Sequence, residues 1–426
     1  MLQSHPTMNP LIFTKQDFYN QFTLPQVSFE EFCSRVSVLN ISDKTGSFAI
    51  RSDLDSFLEK VCKKDTDTRK DRIDIYKRNL YKILVTDVKE TLAEWFRRYG
   101  ELKEPLHYYF NLPDSNILND DVFSGRTKSK YGKICKNINF SNFYNTKKLY
   151  LNDSEYTFGL MKVMLEEFKL RNSLVGPAFF DHICKYDGNS GQFWLDFMIG
   201  SNRASIFNPV TYKGILKEVF TGETLFAPVM GWNAYQLGFY GSNFTNFIST
   251  DVIPEVVNNG KLLHQEYLQY QNDSLFDSPK KNVELYLCPS ELLDKNYNFS
   301  EKHAECVDAV LLSPPYFDLE IYPSDDQSIT NFPDYQSWLI GYWEETVKIC
   351  VKVMKPGARL GFVISNYCNF DKKEVTISQD MRDVVANHLE LFKHYRIQWS
   401  SISGTRQAKK TRNGNYEDLW VFEKTV

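Results

Sequence analysis

Val307-Asp308-Ala309-Val310-Leu311-Leu312-Ser313-Pro314-Pro315-Tyr316 is the stretch on which the reading of the fold turns. An apolar run of this length, stopped abruptly by two prolines, reads as a strand buried in a sheet. Prolines have no backbone N–H to give and cannot extend a ladder. Ser313 to Tyr316 are therefore predicted to form a rigid turn at the carboxyl end of the strand, the edge of an open α/β sheet where ligands bind.

On either side of this stretch the rhythm is α/β. Upstream, a helix is predicted over Tyr212 to Phe220, then an apolar run from Thr224 to Val229. A helix starting near Asn233 and strands at Phe247 to Thr250 and Val283 to Leu287 follow. Downstream, a helix is predicted over Tyr335 to Met354, with strands at Arg359 to Ile364, Arg396 to Ser400 and Leu419 to Phe422. Strands alternating with helices imply a sheet covered on both faces. The last two strands are joined by a polar loop rather than a helix, so they are expected to pair antiparallel.

The chemistry at the turn can be read from its atoms. The Ser313 hydroxyl and the Pro314 carbonyl both accept hydrogen bonds, and an amino group on an aromatic base has two N–H donors. Such a nitrogen is a poor nucleophile because its lone pair is delocalised into the ring. Two acceptors on its hydrogens help localise that lone pair and draw off a proton. Tyr316 offers an aromatic face for stacking. No Gly-x-Ser-x-Gly elbow surrounds Ser313, which argues against an acyl-transfer nucleophile.

Ser-Pro-Pro-Tyr after a strand resembles the catalytic motif of the S-adenosylmethionine-dependent DNA amino-methyltransferases. The resemblance implies catalytic roles for Ser313, Pro314, Pro315 and Tyr316, with Ser at the first position more usual for cytosine N4 than for adenine N6. Leu225-Phe226-Ala227-Pro228-Val229-Met230-Gly231-Trp232-Asn233 stands where the family has its first strand and Gly-rich cofactor loop. The family usually has Asp at Ala227 and a second Gly at Asn233; Asn233 is expected to cap the next helix. Asp251, twenty positions after Gly231, is placed to accept from the cofactor ribose hydroxyls. Ser290 and Glu291 fall where the family touches the adenine ring. Ser205-Ile206-Phe207-Asn208-Pro209 is similar to the segment that holds the methionine end, so Phe207 and Pro209 join Ala227, Pro228 and Gly231 as expected cofactor contacts. The implied fold is an α/β Rossmann-like methyltransferase sheet with a terminal antiparallel strand pair, spanning 203–426.

The first half reads differently. Residues 1–121 are predicted to form a mainly helical N-terminal domain: Phe29, Phe32 and Val36, then Tyr76, Leu80, Ile83 and Leu84, then Leu92, Trp95 and Phe96 fall at helical spacing. Residues 122–202 read as a basic, aromatic connector with a helix near 156–172. Arg126, Lys128, Lys130, Lys133, Lys136, Lys147 and Lys148 alternate there with aromatics, which suits phosphate contact plus base stacking. A second basic stretch, Ser401 to Asn415, carries Arg406, Lys409, Lys410 and Arg412.

Composition narrows the class. With 42% hydrophobic residues and a net charge of −4, the chain can bury a core and is no polycation, so nucleic-acid contact must come from local patches. Eight cysteines without a Cys-x-x-Cys pair suggest reduced thiols and an intracellular setting, cytoplasm or nucleoid. No metal site is expected, and no apolar run is long enough to span a membrane. The favoured expectation is methyl transfer to a DNA base. RNA as substrate, or a non-catalytic nucleic-acid-binding subunit on a methyltransferase fold, are the alternatives. Without an inserted target-recognition domain, recognition falls to the N-terminal half, to loops, or to a partner such as a recognition subunit or a second copy.

Overall fold

A sheet buried on both faces needs near-continuous apolar strands, and the central strands meet that condition. The computed structural model describes residues 11–12, 14, 16, 28–30, 66–87, 96–97, 100–115, 117–119, 121–125, 129–139, 183–186, 206–273, 279–319, 322, 324–368, 374–399 and 416–425. Two units divide the chain: Met1–Ile12, Leu102–Phe143 and Ala204–Val426 form one, Phe13–Glu101 and Tyr144–Arg203 the other.

In the second unit, helix α1 spans Thr66–Tyr81 and runs on into a wide helical turn at Lys82–Thr86. Tyr76, Leu80 and Ile83 are buried along it, as the sequence stripe predicts. Asn79 Nδ2 donates to the Ile183 carbonyl at 2.8 Å. Phe32, Val36, Leu92, Trp95 and the segment 156–172 lie outside the described residues.

The first unit contains β1 (Ile117–Asn119), β2 (Val122–Ser124), helix α2 (Lys133–Ile138), helix α3 (Pro209–Val219), β3 (Thr224–Ala227), helix α4 (Ala234–Tyr240), β4 (Asn246–Asp251), helix α5 (Pro254–Asp273), β5 (Asn282–Leu287) and β6 (Val307–Leu312). Helix α6 (Glu345–Val353), β7 (Met354–Ile364), a two-stranded ribbon of β8 (Tyr367–Cys368) and β9 (Glu374–Val375), helix α7 (Ile377–Ala386), β10 (Glu390–Gln398) and β11 (Tyr416–Glu423) complete it. Among the described residues nine strands form one sheet in the order β1-β2-β10-β11-β7-β6-β3-β4-β5. The pairs β5–β4, β4–β3, β3–β6 and β6–β7 are parallel, and β11 is antiparallel to both β7 and β10. This is the expected Rossmann-like α/β sheet with its antiparallel terminal pair. The chain moves outward from β3 to β4 and β5, then crosses back to β6 on the other side of β3. That reversal makes the β3/β6 boundary the switch point of the sheet.

Two expectations need correction. The boundary at 121/122 falls inside the β1–β2 hairpin, and β2 lies parallel to β10 with Arg396↔Val122 and Gln398↔Ser124 in register. The start of the expected connector is therefore part of the sheet. The reason is the open edge of β10, whose amides need partners: Arg396 N donates to Asp121 O, and Gly125 N to Gln398 O, each at 2.8 Å. The second correction is the predicted helix Tyr335 to Met354. It is a short turn at Tyr335–Trp338, a wide-pitched segment at Leu339–Glu344 and then α6, while Met354 already begins β7.

Candidate functional site at the carboxyl edge of the sheet

The parallel strands β3, β4, β5, β6 and β7 end on one edge, so Pro228, Asp251, Cys288, Ser313 and Ser365 follow one another along it. Asn208 opens α3: its side chain accepts from Val210 N at 3.0 Å, with Pro209 at the first helical position. From α3, Tyr212 sends its hydroxyl to the Leu311 carbonyl at 2.8 Å, and its ring stacks on Tyr235 at 4.5 Å. Tyr235 in turn grips the Ser-Pro-Pro-Tyr turn. Its phenol oxygen accepts from Ser313 N at 2.9 Å and donates to Ser313 O at 3.3 Å. Both backbone polar groups of Ser313 are thus fixed by a residue four positions after Gly231.

At the other end of the motif, the Tyr316 hydroxyl accepts from Ser365 N and bonds Ser365 Oγ, both at 3.1 Å. The Tyr316 ring meets Tyr367 edge to face at 5.8 Å. Tyr367 donates to Asp318 Oδ1. The turn is therefore anchored to the helix after β3 on one side and to the end of β7 on the other.

Asp251 ends β4. Its Oδ1 accepts from Ile253 N at 3.0 Å. Burial pushes its carboxyl up to about 6, against the pull of amide hydrogen bonds from Ile253, Met230 and Val252. Three amides leave part of the carboxylate's roughly four lone-pair positions open. Glu291 lies just beyond β5. Burial, opposed by its own amide and the Ser290 hydroxyl and assisted by Asp326, raises it to about 7. Its Oε1 is buried and accepts no hydrogen bond, and the buried Tyr342 hydroxyl is also without a partner. Ser290 Oγ sits 2.9 Å from Thr346 Oγ1. The segment after the motif folds back toward β4: Ser324 Oγ donates to Val252 O at 3.1 Å, the Tyr322 and Trp232 rings lie 6.1 Å apart, and Gln327 clasps both backbone groups of Tyr322.

The remaining sequence candidates divide. Gly231 has φ +53°, and a Cβ there would strike the Tyr235 ring at 2.5 Å, so glycine is required. Ala227 and Pro228 are fully buried, and the Ala227 carbonyl accepts from Ser249 Oγ at 2.7 Å. Phe207 is packed among Tyr212, Tyr235 and Trp399, each 5.9 to 6.2 Å away, so its ring is a wall of the core. Asn233 does not cap α4: its φ is +66° and its side chain makes no capping bond, donating instead to Val256 O at 3.0 Å. Lys130 lies over the Tyr108 and Tyr131 rings at 4.8 and 5.5 Å. Arg126, Lys128, Arg406, Lys409, Lys410 and Arg412 lie outside the described residues. The sequence reading missed Tyr235, Ser365 and Tyr342, because an aromatic on a helix is indistinguishable in sequence from ordinary core. Among the described residues no group of three His, Cys, Asp or Glu side chains could hold a metal ion, and no helix is long and apolar enough to cross a membrane.

No family model and no curated protein matches the chain. Solved structures that resemble it include TrmN from Thermus thermophilus (12% identity, TM-score 0.32, 51% of this chain and 48% of that one). The N-methyltransferase NodS from Bradyrhizobium japonicum WM9, in complex with S-adenosyl-L-homocysteine, aligns at 11% identity with a TM-score of 0.30, over 48% of this chain and 79% of that one. TTHA0409, also from Thermus thermophilus and described as a DNA modification methylase, aligns at 14% identity with a TM-score of 0.24, over 32% and 50%. The chain thus spans about half the length of TrmN. At such loose superposition the functional reading rests on the site itself.

Proposed function

We propose that this chain is an S-adenosylmethionine-dependent methyltransferase acting on an exocyclic amino group of a DNA base, cytosine N4 in preference to adenine N6. The observation that carries the reading is the Ser313-Pro314-Pro315-Tyr316 turn at the switch point, clamped through Ser313 by Tyr235. A polar turn pinned this firmly at a ligand-binding edge suits a group that must be aimed.

The edge also fits the cofactor. Ribose hydroxyls and amino groups are donors, and the pocket beside β4 and β5 presents acceptors: the partly engaged Asp251 carboxylate and the partnerless Glu291 Oε1. Gly231 lets the backbone come close to a ligand. Bound there, S-adenosylmethionine supplies an electrophilic methyl on a positively charged sulfur. This chain's residues do the rest. The Ser313 hydroxyl and Pro314 carbonyl accept the two amino hydrogens and draw a proton from the nitrogen as it becomes cationic. The Tyr316 ring, tethered at its hydroxyl, supports the flipped base by stacking.

DNA is the proposed partner, met through the basic segments near Lys130 and 401–415, with a recognition subunit or second copy completing sequence choice. The test is mass spectrometry of nucleosides from DNA and RNA exposed to the protein and cofactor. N4-methylcytidine in the DNA arm is the expected product. Methylation confined to RNA moves the substrate class, and no methylated nucleoside in either arm sinks the reading.

A further inference from the structure

Gly231, Trp232 and Asn233 take φ values of +53°, +59° and +66° in succession. Only the first is glycine. The left-handed region is disfavoured for a bulky side chain such as Trp and merely tolerated by Asn. Such a run persists only where its surroundings impose it.

Here the surroundings come from far upstream. Asn139, buried at the end of α2, donates from Nδ2 to Asn233 Oδ1 at 2.8 Å and to the Trp232 carbonyl at 3.2 Å. The same nitrogen reaches Cys135 O at 3.0 Å, so two protons serve three acceptors. Asn139 Oδ1 accepts from Asn259 Nδ2 of α5 at 3.1 Å, and Asn259 also donates to Ile138 O at 2.7 Å. Asn233 Nδ2 closes the network on Val256 O. Gly260 makes room for it: a Cβ there would lie 2.9 Å from Asn233 Nδ2 and 2.6 Å from Met230 Cε. Buried amides with matched partners fix a single arrangement, and an unmatched one is costly.

We infer that Asn139 is a positioning residue for the loop at the end of β3, holding Trp232 and Asn233 in the left-handed conformation. Its role toward the cofactor rests on the function proposed above. Asn139 acts through the Trp232 carbonyl and the Asn233 side chain. It supplies by hydrogen bonding the restraint that makes asparagine workable where glycine would need none. A residue outside 203–426 thereby belongs to the cofactor machinery.

The test uses the full chain and S-adenosylhomocysteine as probe. Hydrogen–deuterium exchange of the unliganded protein reads the loop, and calorimetry reads affinity. Asn139→Ala is expected to speed exchange across 231–235 while β4 and β6 stay protected, and to weaken probe binding at least ten-fold. Adding Asn233→Gly to that variant is expected to bring affinity back to within about three-fold of wild type. A merely structural defect would not be rescued that way. Unchanged exchange in Asn139→Ala, or a loss of affinity that Asn233→Gly leaves untouched, overturns the inference. If Asn139→Ala does not fold, Asn139→Asp, which keeps the shape and loses the two donors, is read by the same two measurements. Wild-type protein that binds no probe refutes the proposed function and with it the cofactor role. The exchange arm then still decides whether Asn139 holds the loop.

Discussion

At the scale of single residues, the site separates groups that face the base from groups that face the cofactor. Ser313→Ala removes one acceptor for the amino group, so turnover is expected to fall by about 10²-fold with S-adenosylhomocysteine affinity unchanged; equal losses in both would place Ser313 wrongly. Tyr235→Phe keeps the stack on Tyr212 and loses the clamp, and should lower turnover about ten-fold, the effect of roughly 1.4 kcal/mol. Asp251 carries a pH signature. An acid raised in the fold holds its proton where the unfolded chain has lost it, so this group withdraws stability as pH climbs from the usual carboxylate range through about 6. Hydroxyl donors favour its ionised form. Probe affinity is therefore expected to rise with pH up to about 6 and then level, with proton release on binding below that point. Glu291, held up to about 7, would extend the rise by a further step that Glu291→Gln abolishes. Calorimetry at several pH values decides this, and affinity that falls with rising pH would exclude both carboxylates as acceptors.

At the scale of elements, what the sequence hid has physical causes. Helix α5 escaped because Asn258-Asn259-Gly260 reads as a turn, although Val256, Val257, Gly260, Leu263 and Tyr267 form its buried stripe. Its glycine is there for close approach. The predicted helix over Tyr335 to Met354 failed for another reason. Trp338 and Trp343 are both buried, yet five residues on an α-helix separate directions by roughly 140° at ~100° per residue. The wider pitch over Leu339–Glu344 turns both indoles inward, and a Cβ on Gly341 would meet the Phe332 ring at 2.3 Å. What was legible was what periodicity and prolines announce: β6 matches its predicted span, and the motif follows it at the expected edge. Side-chain tethers such as Tyr235 to Ser313 span 78 positions and leave no local trace. The far end of the sheet offers a stability test. Asp308 Oδ2 accepts from Glu223 N and Thr224 N at 3.0 and 2.9 Å, and Oδ1 pairs with Lys355 at 2.6 Å. Burial would raise this carboxyl, but Lys355 and the two amides outweigh it and hold it below the usual range. Its stabilisation is thus present above the ordinary carboxylate pKa and lost as pH falls through the lowered one. Asp308→Asn is expected to cost about 1 to 3 kcal/mol at neutral pH, a deficit that shrinks in acid. Thermal melts of both proteins over pH 3 to 7 measure it, and a deficit independent of pH would contradict the ionic account.

At the scale of the whole sheet, direction matters more than proximity. β10 runs parallel to β7, and β2 runs parallel to β10. Residues 126–128 and 401–415 therefore both follow strands that end at the edge carrying Ser313. Replacing Arg406, Lys409, Lys410 and Arg412 with Gln is expected to lower DNA affinity and flatten its salt dependence by a log–log slope of up to ~4, leaving cofactor affinity alone. Parallel salt titrations for wild type and variant would show that this stretch meets no phosphate. The sequence reading placed that loop correctly between two antiparallel strands but treated the upstream basic stretch as a connector. Three-residue strands with exposed Ile117 and Leu118 carry too little periodicity to reveal a hairpin.

The position of β11 bears on how the chain is made. Tyr416–Glu423 leaves the ribosome after every other strand of the sheet, yet it lies between β7 and β10, hydrogen-bonded on both sides. Until it arrives, two strand edges stand open and neither β10 nor the β1–β2 hairpin can join the parallel core. During synthesis the nascent chain must therefore wait with an incomplete sheet, the state in which unpaired edges recruit other chains.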